Sequence, residues 1–234
     1  MILLTGASQG IGYECAKSLL ARTDARVMIT GRSVVGLERA RAGTPDAQRD
    51  RLLLQVCDQS RPEDVEALGA LLGDPGTQFE GAILGVGLNP MYTEGPQRLH
   101  AVDPAIADAV IRTNCTHAFR LTGTILERFR RQRSGVLIWI GSQAYQVGLP
   151  GAALYCATKA FLSGLAHTAH LEYSESGVRV HLLNPGLVRT PRNSKVIERF
   201  AARHGRVVQD AGEVAARIVS IYLGLVREPV EGDL

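Results

Sequence analysis

No apolar run in this 234-residue chain approaches the length of about twenty residues that a bilayer span needs, so no membrane helix is expected. Met1 leads straight into the apolar residues 2–4, leaving no room for a charged leader and cleavage site; a cytoplasmic protein is the expectation. Charge of one sign is also missing. The 26 Lys and Arg nearly balance the 23 Asp and Glu, and the basic residues are scattered except for a short cluster at 128–133. That cluster falls where a helix should end and complements its dipole, so no nucleic-acid partner is expected. Cysteine is scarce as well: Cys15, Cys57, Cys115 and Cys156 show no C-x-x-C pair and no metal-ligand spacing. They fall in predicted helices and strands as small apolar filler, which argues against a disulfide framework. His167 and His170 stand one turn apart without a third ligand in view, so no metal site is expected.

What is present is apolar mass, 45% of residues, enough for one large α/β domain. Short β-rich runs at residues 2–5, 26–30, 52–55, 81–85, 135–140 and 179–183 are apolar at consecutive positions, as strands covered on both faces must be. Helical patterns separate them at 10–21, 34–40, 62–72, 104–131 and 154–176, with another from 210 to about 225. Ser60 is the expected N-cap of the helix that opens at Pro62. This alternation predicts an α/β fold: a single-domain, Rossmann-like, doubly wound parallel sheet, with helices on both faces and ligands at the carboxyl ends of the strands. Residues 42–50, 90–101 and 191–205 read as irregular.

The first strand runs into Thr5-Gly6-Ala7-Ser8-Gln9-Gly10-Ile11-Gly12. Glycines at such a turn let the backbone approach a pyrophosphate, which then sits at the positive end of the following helix. The spacing is G-x-x-x-G-x-G rather than G-x-G-x-x-G, and many glycine turns serve sterics alone; the place after the first strand favours phosphate. The second strand ends at Gly31-Arg32. An acidic residue there would read a free ribose 2′-hydroxyl, whereas an arginine accepts a 2′-phosphate, so NADP(H) is preferred and NAD(H) remains possible.

Tyr155 and Lys159 are four apart at the start of a helical pattern, hence on one face, a turn apart. An ammonium beside a phenol favours the phenolate, and a general acid works best with its pKa moved toward operating pH. Alone, the pair is equally a surface Tyr–Lys contact.

In context the chain resembles the short-chain dehydrogenase/reductase family. TGASQGIG, Asp58 after the third strand, Asn114 in a helix, Ser142 after the fifth strand, YCATK and PGLVRT come in family order over nearly the whole chain. The resemblance implies a tetrad of Asn114, Ser142, Tyr155 and Lys159 and hydride transfer between nicotinamide C4 and a carbonyl or carbinol carbon. Tyr155 would exchange the proton with the substrate oxygen, and Lys159 would hold the nicotinamide ribose and depress the tyrosine pKa. Ser142 would orient the substrate oxygen, and Asn114 would anchor a water linking Lys159 to solvent. Pro185, Gly186, Val188 and Thr190 would hold the carboxamide, and Asp58 the adenine edge. The chain departs from the family at the end of the fourth strand, where Leu84-Gly85-Val86-Gly87 replaces N-N-A-G; Gly87 keeps a flexible position beside the cofactor. Gln9 stands where many NADP-using members carry a basic residue. Against the family pattern, the last strand, around 228–234, is expected to be truncated.

Substrate contacts are expected from loops at about 88–101, 141–151 and 190–206. Met91, Tyr92, His100, Tyr145, Val147 and Leu149 make an apolar, aromatic set suited to a hydrophobic or aromatic ketone. Arg192, Lys195 and Arg199 read as a solvated lid face, or as a greeting for an anionic carrier. The expected activity is NADPH-dependent ketone reduction. The alternatives are a secondary-alcohol dehydrogenase working oxidatively and a catalytically silent dinucleotide-binding regulator. An enoyl reductase is disfavoured by the Y-x-x-x-K spacing. The resemblance further implies a homodimer or homotetramer, paired through the helices at 104–131 and 154–176.

Overall fold

A computed structural model of the chain describes residues 1–226. Six parallel strands form the central sheet: β1 (Ile2–Thr5), β2 (Val27–Gly31), β3 (Leu52–Val56), β4 (Gly81–Leu84), β5 (Gly135–Ile140) and β6 (Val178–Leu183), in the order β3-β2-β1-β4-β5-β6. This is the doubly wound order, in which the chain reverses direction across the sheet between β1 and β4 and opens a crevice at their carboxyl ends.

Alternation along each strand divides the apolar residues between two cores. Ile2, Leu4, Val27, Ile29, Ile83 and Ile138 point to one face, under α1 (Gly10–Arg22), α2 (Val34–Ala42) and α10 (Ala211–Tyr222). Leu3, Met28, Ala82, Leu137 and Trp139 point to the other, under α4 (Pro62–Gly73), α6 (His117–Gln132) and α8 (Ala153–Tyr173). Both faces being covered is why β1, β2 and β4 are buried at every position.

The expected helix over 104–131 is two helices. α5 (Pro104–Ile111) passes into α6 through a π-helical turn at Arg112–Thr116, where the His117 N–H reaches the Arg112 carbonyl. One inserted residue leaves the apolar periodicity on either side intact, so the pattern gives no sign of it. Ser60 is not the cap of α4: Arg61 occupies that position without a side-chain bond, and Pro62 opens the helix. The expected irregular segment at 191–205 is largely helical. Val196, Ile197, Phe200 and Ala201 make an apolar stripe along α9 (Ser194–His204). Before it, β7 (Leu187–Arg189) pairs in parallel with β8 (Val208–Asp210), a two-stranded sheet not foreseen in the sequence. The short helices α3 (Asp46–Arg49) and α7 (Ala144–Val147) complete the set. No helix among the described residues is long and apolar enough to cross a membrane. The expected strand remnant at 228–234 lies outside the described residues.

At its start β5 meets α6 so closely that a Cβ on Gly135 would collide with the Phe129 ring, itself fully buried and stacked on Phe79 at 5.0 Å. Gly135→Ala is expected to lower unfolding stability by about 1–3 kcal/mol through overpacking. Combined with Phe129→Leu it should lose less than the sum of the two single changes, because the smaller side chain vacates the space the methyl needs. Urea denaturation of the four proteins checks this; additive losses would place the strain elsewhere.

Candidate active site

The crevice between β1 and β4 is floored by the glycine turn. Gly6 (φ 66°) and Gly10 (φ 61°) lie in the left-handed region that side chains avoid. A Cβ on Gly12 would sit 2.9 Å from the Ala7 Cα, so this glycine lets α1 pack against the turn. Ser8, Gln9 and Ile11 lie along the same floor, with Gln9, Gly10, Ile11 and Gly12 facing one cleft and Gly6, Ser8 and Gln9 facing a second.

The second cleft, about 310 Å³, takes in Gly31, Arg32 and Asp58. The Asp58 carboxylate accepts the Ser60 N–H at 2.9 Å, and its own N–H donates to Asp64 at 2.8 Å, which sets the loop after β3. Thr113, which the sequence reading passed over, is buried in this cleft with its hydroxyl oxygen unpartnered among the described residues. A glycine cradle, a waiting hydroxyl, an arginine and a carboxylate form a donor and acceptor set that fits an adenine dinucleotide.

The first cleft, about 230 Å³, gathers Ser142, Tyr155, Lys159, Pro185, Gly186, Val188 and Thr190. Tyr155 and Lys159 stand one turn apart on α8. The Lys159 Nζ donates to the Ile140 carbonyl at 2.9 Å and lies 5.6 Å from the centre of the Tyr155 ring. Gly87 has no positive φ, and a Cβ there would make only ordinary contact, 3.5 Å from Lys159 Nζ, so neither the backbone nor the space demands a glycine. Ser142 hydrogen-bonds the Tyr155 phenol, and its hydroxyl also accepts the Ala144 N–H at 3.2 Å. Asn184, absent from the sequence reading, holds the Ser142 N–H at 3.0 Å; the Asn-Pro-Gly run ahead of the turn was its only signal.

Asn114 sits in the π-turn and is buried. Its amide pairs with both the N–H (2.7 Å) and carbonyl (2.9 Å) of Leu88, as a neighbouring strand would, and donates to the Thr158 hydroxyl at 3.1 Å. Both amide hydrogens are therefore spent on bracing the end of β4 against α8. Thr158, another residue the sequence reading missed, relays this brace to the Tyr155 carbonyl at 2.9 Å. Pro185 accepts from the Gln143 N–H at 3.0 Å, and the Gly186 N–H donates to the Gln209 side chain at 3.2 Å. Thr190 caps no helix: its N–H and hydroxyl both donate to Asn193 Oδ1 at 2.9 Å.

With the glycine turn, Ser142, Tyr155, Lys159 and the Pro185-Gly186 turn lining one cleft, and Asn114 bracing it from behind, comparison with known proteins is decisive. The short chain dehydrogenase family model matches residues 1–200. The chain belongs to that family. It is thereby an NAD(P)(H)-dependent oxidoreductase acting on CH–OH or C=O groups. It is 32% identical over 189 residues to the 3-oxoacyl-[acyl-carrier-protein] reductase of Escherichia coli (strain K12), covering 80% of this chain and 73% of that one. The solved short-chain dehydrogenase from Sphingobium yanoikuyae in complex with NADPH is 25% identical, with TM-score 0.76 over 95% of this chain and 84% of that chain. The 3-ketoacyl-(acyl-carrier-protein) reductase from Brucella melitensis complexed with NADH shares the fold at 24% identity and TM-score 0.81, covering 94% and 89%.

In this short-chain dehydrogenase burial of the pair works against both ionised forms. Burial pushes the Tyr155 phenol up, the nearby Tyr92 adds to the push, and the Ser142 hydrogen bond pulls the other way. Burial pushes Lys159 down from 10.5 to about 8. The folded protein thus releases this proton at lower pH than the unfolded chain, so stability rises with pH between about 8 and 10.5 and the whole penalty is present below 8. Lys159→Met removes a penalty on the order of 3 kcal/mol at pH 7, offset by a pH-independent cost of about 1–2 kcal/mol for the orphaned Ile140 carbonyl. Chemical denaturation at pH 7 and at pH 10 should show the variant losing its advantage over wild type at the higher pH. A difference that does not move with pH would mean Lys159 is hydrated.

Proposed function

We propose that the chain reduces a hydrophobic or aromatic ketone to a secondary alcohol with NADPH, Tyr155 acting as proton donor. The carrying observation is that Ser142, Tyr155 and Lys159 converge in one cleft continuous with the glycine turn and with Arg32. NADPH, when bound, supplies the hydride that adds to the carbonyl carbon. The Tyr155 hydroxyl donates its proton to the carbonyl oxygen, and Ser142, already hydrogen-bonded to that phenol, orients the same oxygen. Lys159 sits behind the phenol and stabilises the phenolate left after transfer; with its pKa near 8 it can also return a proton at neutral pH. Asn114 keeps α8 at a fixed distance from β4 and takes the role of proton-relay anchor. Pro185, Gly186, Val188 and Thr190 hold the carboxamide end, while Gly6, Ser8, Gln9, Gly10, Ile11, Gly12 and Gly87 line the path to Asp58 at the adenine end.

Arg32 supports the preference for the 2′-phosphate over NADH. Met91, Tyr92, Leu149, Val196 and Phe200 line the reactive cleft, which supports an apolar substrate. The E. coli relative is named for a carrier-bound 3-oxoacyl substrate, so a carrier-tethered ketone falls within the reading. The oxidative direction uses the same residues in reverse and is the second reading. A silent regulator is disfavoured by the presence of the whole tetrad. We take residues 1–234 as one dinucleotide-binding catalytic domain. A homodimer or homotetramer paired through α5, α6 and α8 is supported by exposed Ile111, Phe119, Phe161 and Leu171 on those helices.

A panel of ketones assayed with NADPH and with NADH tests the function. Turnover should favour NADPH, and Tyr155→Phe should lower kcat by about 10²–10⁴-fold while the affinity for NADPH changes by no more than about threefold. No turnover of any ketone with either cofactor would overturn the reading.

A further inference from the structure

The two clefts share Gly6, Gln9, Gly85, Gly87 and Arg192 in their linings, and of these only Arg192 is charged. A dinucleotide occupying both clefts has its diphosphate where they meet. The arginine comes from the lid rather than from the glycine turn, and its backbone is held firmly. Thr190-Pro191-Arg192-Asn193 is a turn closed by the Asn193 N–H on the Thr190 carbonyl at 3.1 Å, with proline at the position whose φ it presets. The Asn193 side chain accepts twice from Thr190 and donates to the Val188 carbonyl at 3.1 Å, tying that corner to β7. The charged neighbour of Arg192 is a like one. Arg32 lines the same adenosine-side cleft; partial burial disfavours the protonated Arg192 most, and the Arg32 charge adds to it. Neither arginine is in an ion pair among the described residues. Two guanidinium groups facing one groove, neither of them paired with the Asp58 carboxylate that also lines it, repel each other, and an anion between them converts the repulsion into two attractions.

We infer that Arg192 is a lid-borne clamp for the cofactor diphosphate, distinct in role from Arg32, which reads the 2′-phosphate. The inference rests on the reading of the groove as a nicotinamide dinucleotide site. It moves Arg192 from a solvated lid face, where its sequence context placed it, into the cofactor groove. The clamp serves NADPH and NADH alike, because the diphosphate is common to both. It also couples binding to the lid, since the turn that carries Arg192 leads directly into α9, whose Val196 and Phe200 line the reactive cleft.

Equilibrium titration of wild type, Arg192→Met, Arg192→Lys and Arg32→Ala separates the roles without any turnover measurement. The ligands are NADPH, NADH, ADP-ribose and adenosine 2′-monophosphate. Arg192→Met should weaken NADPH, NADH and ADP-ribose by about 10- to 100-fold and leave adenosine 2′-monophosphate within about threefold. Arg192→Lys should recover part of the loss, and Arg32→Ala should weaken only the two ligands that carry a 2′-phosphate. Without ligand, the melting temperature of Arg192→Met should not fall, because the repulsion from Arg32 is relieved. Unchanged ADP-ribose affinity, or a loss confined to the 2′-phosphate ligands, would overturn the clamp. Wild type that binds none of the four ligands would instead overturn the dinucleotide reading beneath it.

Discussion

The buried ammonium of Lys159, resting on the Ile140 carbonyl 2.9 Å away, dictates much of the geometry around it. A buried cation needs a fixed acceptor, and the acceptor here is the last carbonyl of β5. That contact sets the height of α8 against the carboxyl edge of the sheet and so places Tyr155 one turn nearer the mouth. Gly87, after the neighbouring strand, lies beside this ammonium. The tight position at this strand end is Gly85, where a Cβ would lie 3.1 Å from both Ile140 and the Thr5 carbonyl.

Desolvation creates a tension that the chemistry uses. It makes the Tyr155 phenolate and the Lys159 ammonium both costly, so burial favours the protonated phenol. The polar frame around the pair is, by contrast, hydrogen-bonded in depth. Asn114 spends its amide on Leu88 and Thr158, Thr158 on Tyr155, and Asn184 on Ser142. Such a frame holds the reacting groups without reorganisation, which is where preorganised electrostatics draws its effect.

The roof over this site is held from one side by Asn193. Besides bracing Thr190, its amide reaches the Tyr92 hydroxyl at 3.5 Å, so the lid and the loop after β4 meet above the cleft. The same hydroxyl is among the influences on Tyr155 and on Arg192. Tyr92, Tyr155 and Arg192 are therefore electrostatic neighbours, although they are far apart in the chain.

Consecutive apolar residues in β1, β2 and β4 and the helical stretches between them were enough to dictate a doubly wound sheet, because burial on both faces leaves parallel strands no other composition. The glycine turn and the Tyr155–Lys159 spacing were legible for a similar reason: each is local, and local geometry is written in adjacent residues. The π-turn that carries Asn114 was not legible, since one inserted residue leaves the pattern on both sides unchanged. Nor were Thr113, Thr158, Asn184 and Asn193, which work through partners brought close only by folding. The α9 stripe at Val196, Ile197, Phe200 and Ala201 was visible but was read as irregular. Arg192 shows the division most plainly. By itself the sequence determined that a cation follows Thr190-Pro191; only the tertiary structure decided that it faces Arg32 across the groove, because that depends on the distance between two loops and not on the order of residues in either.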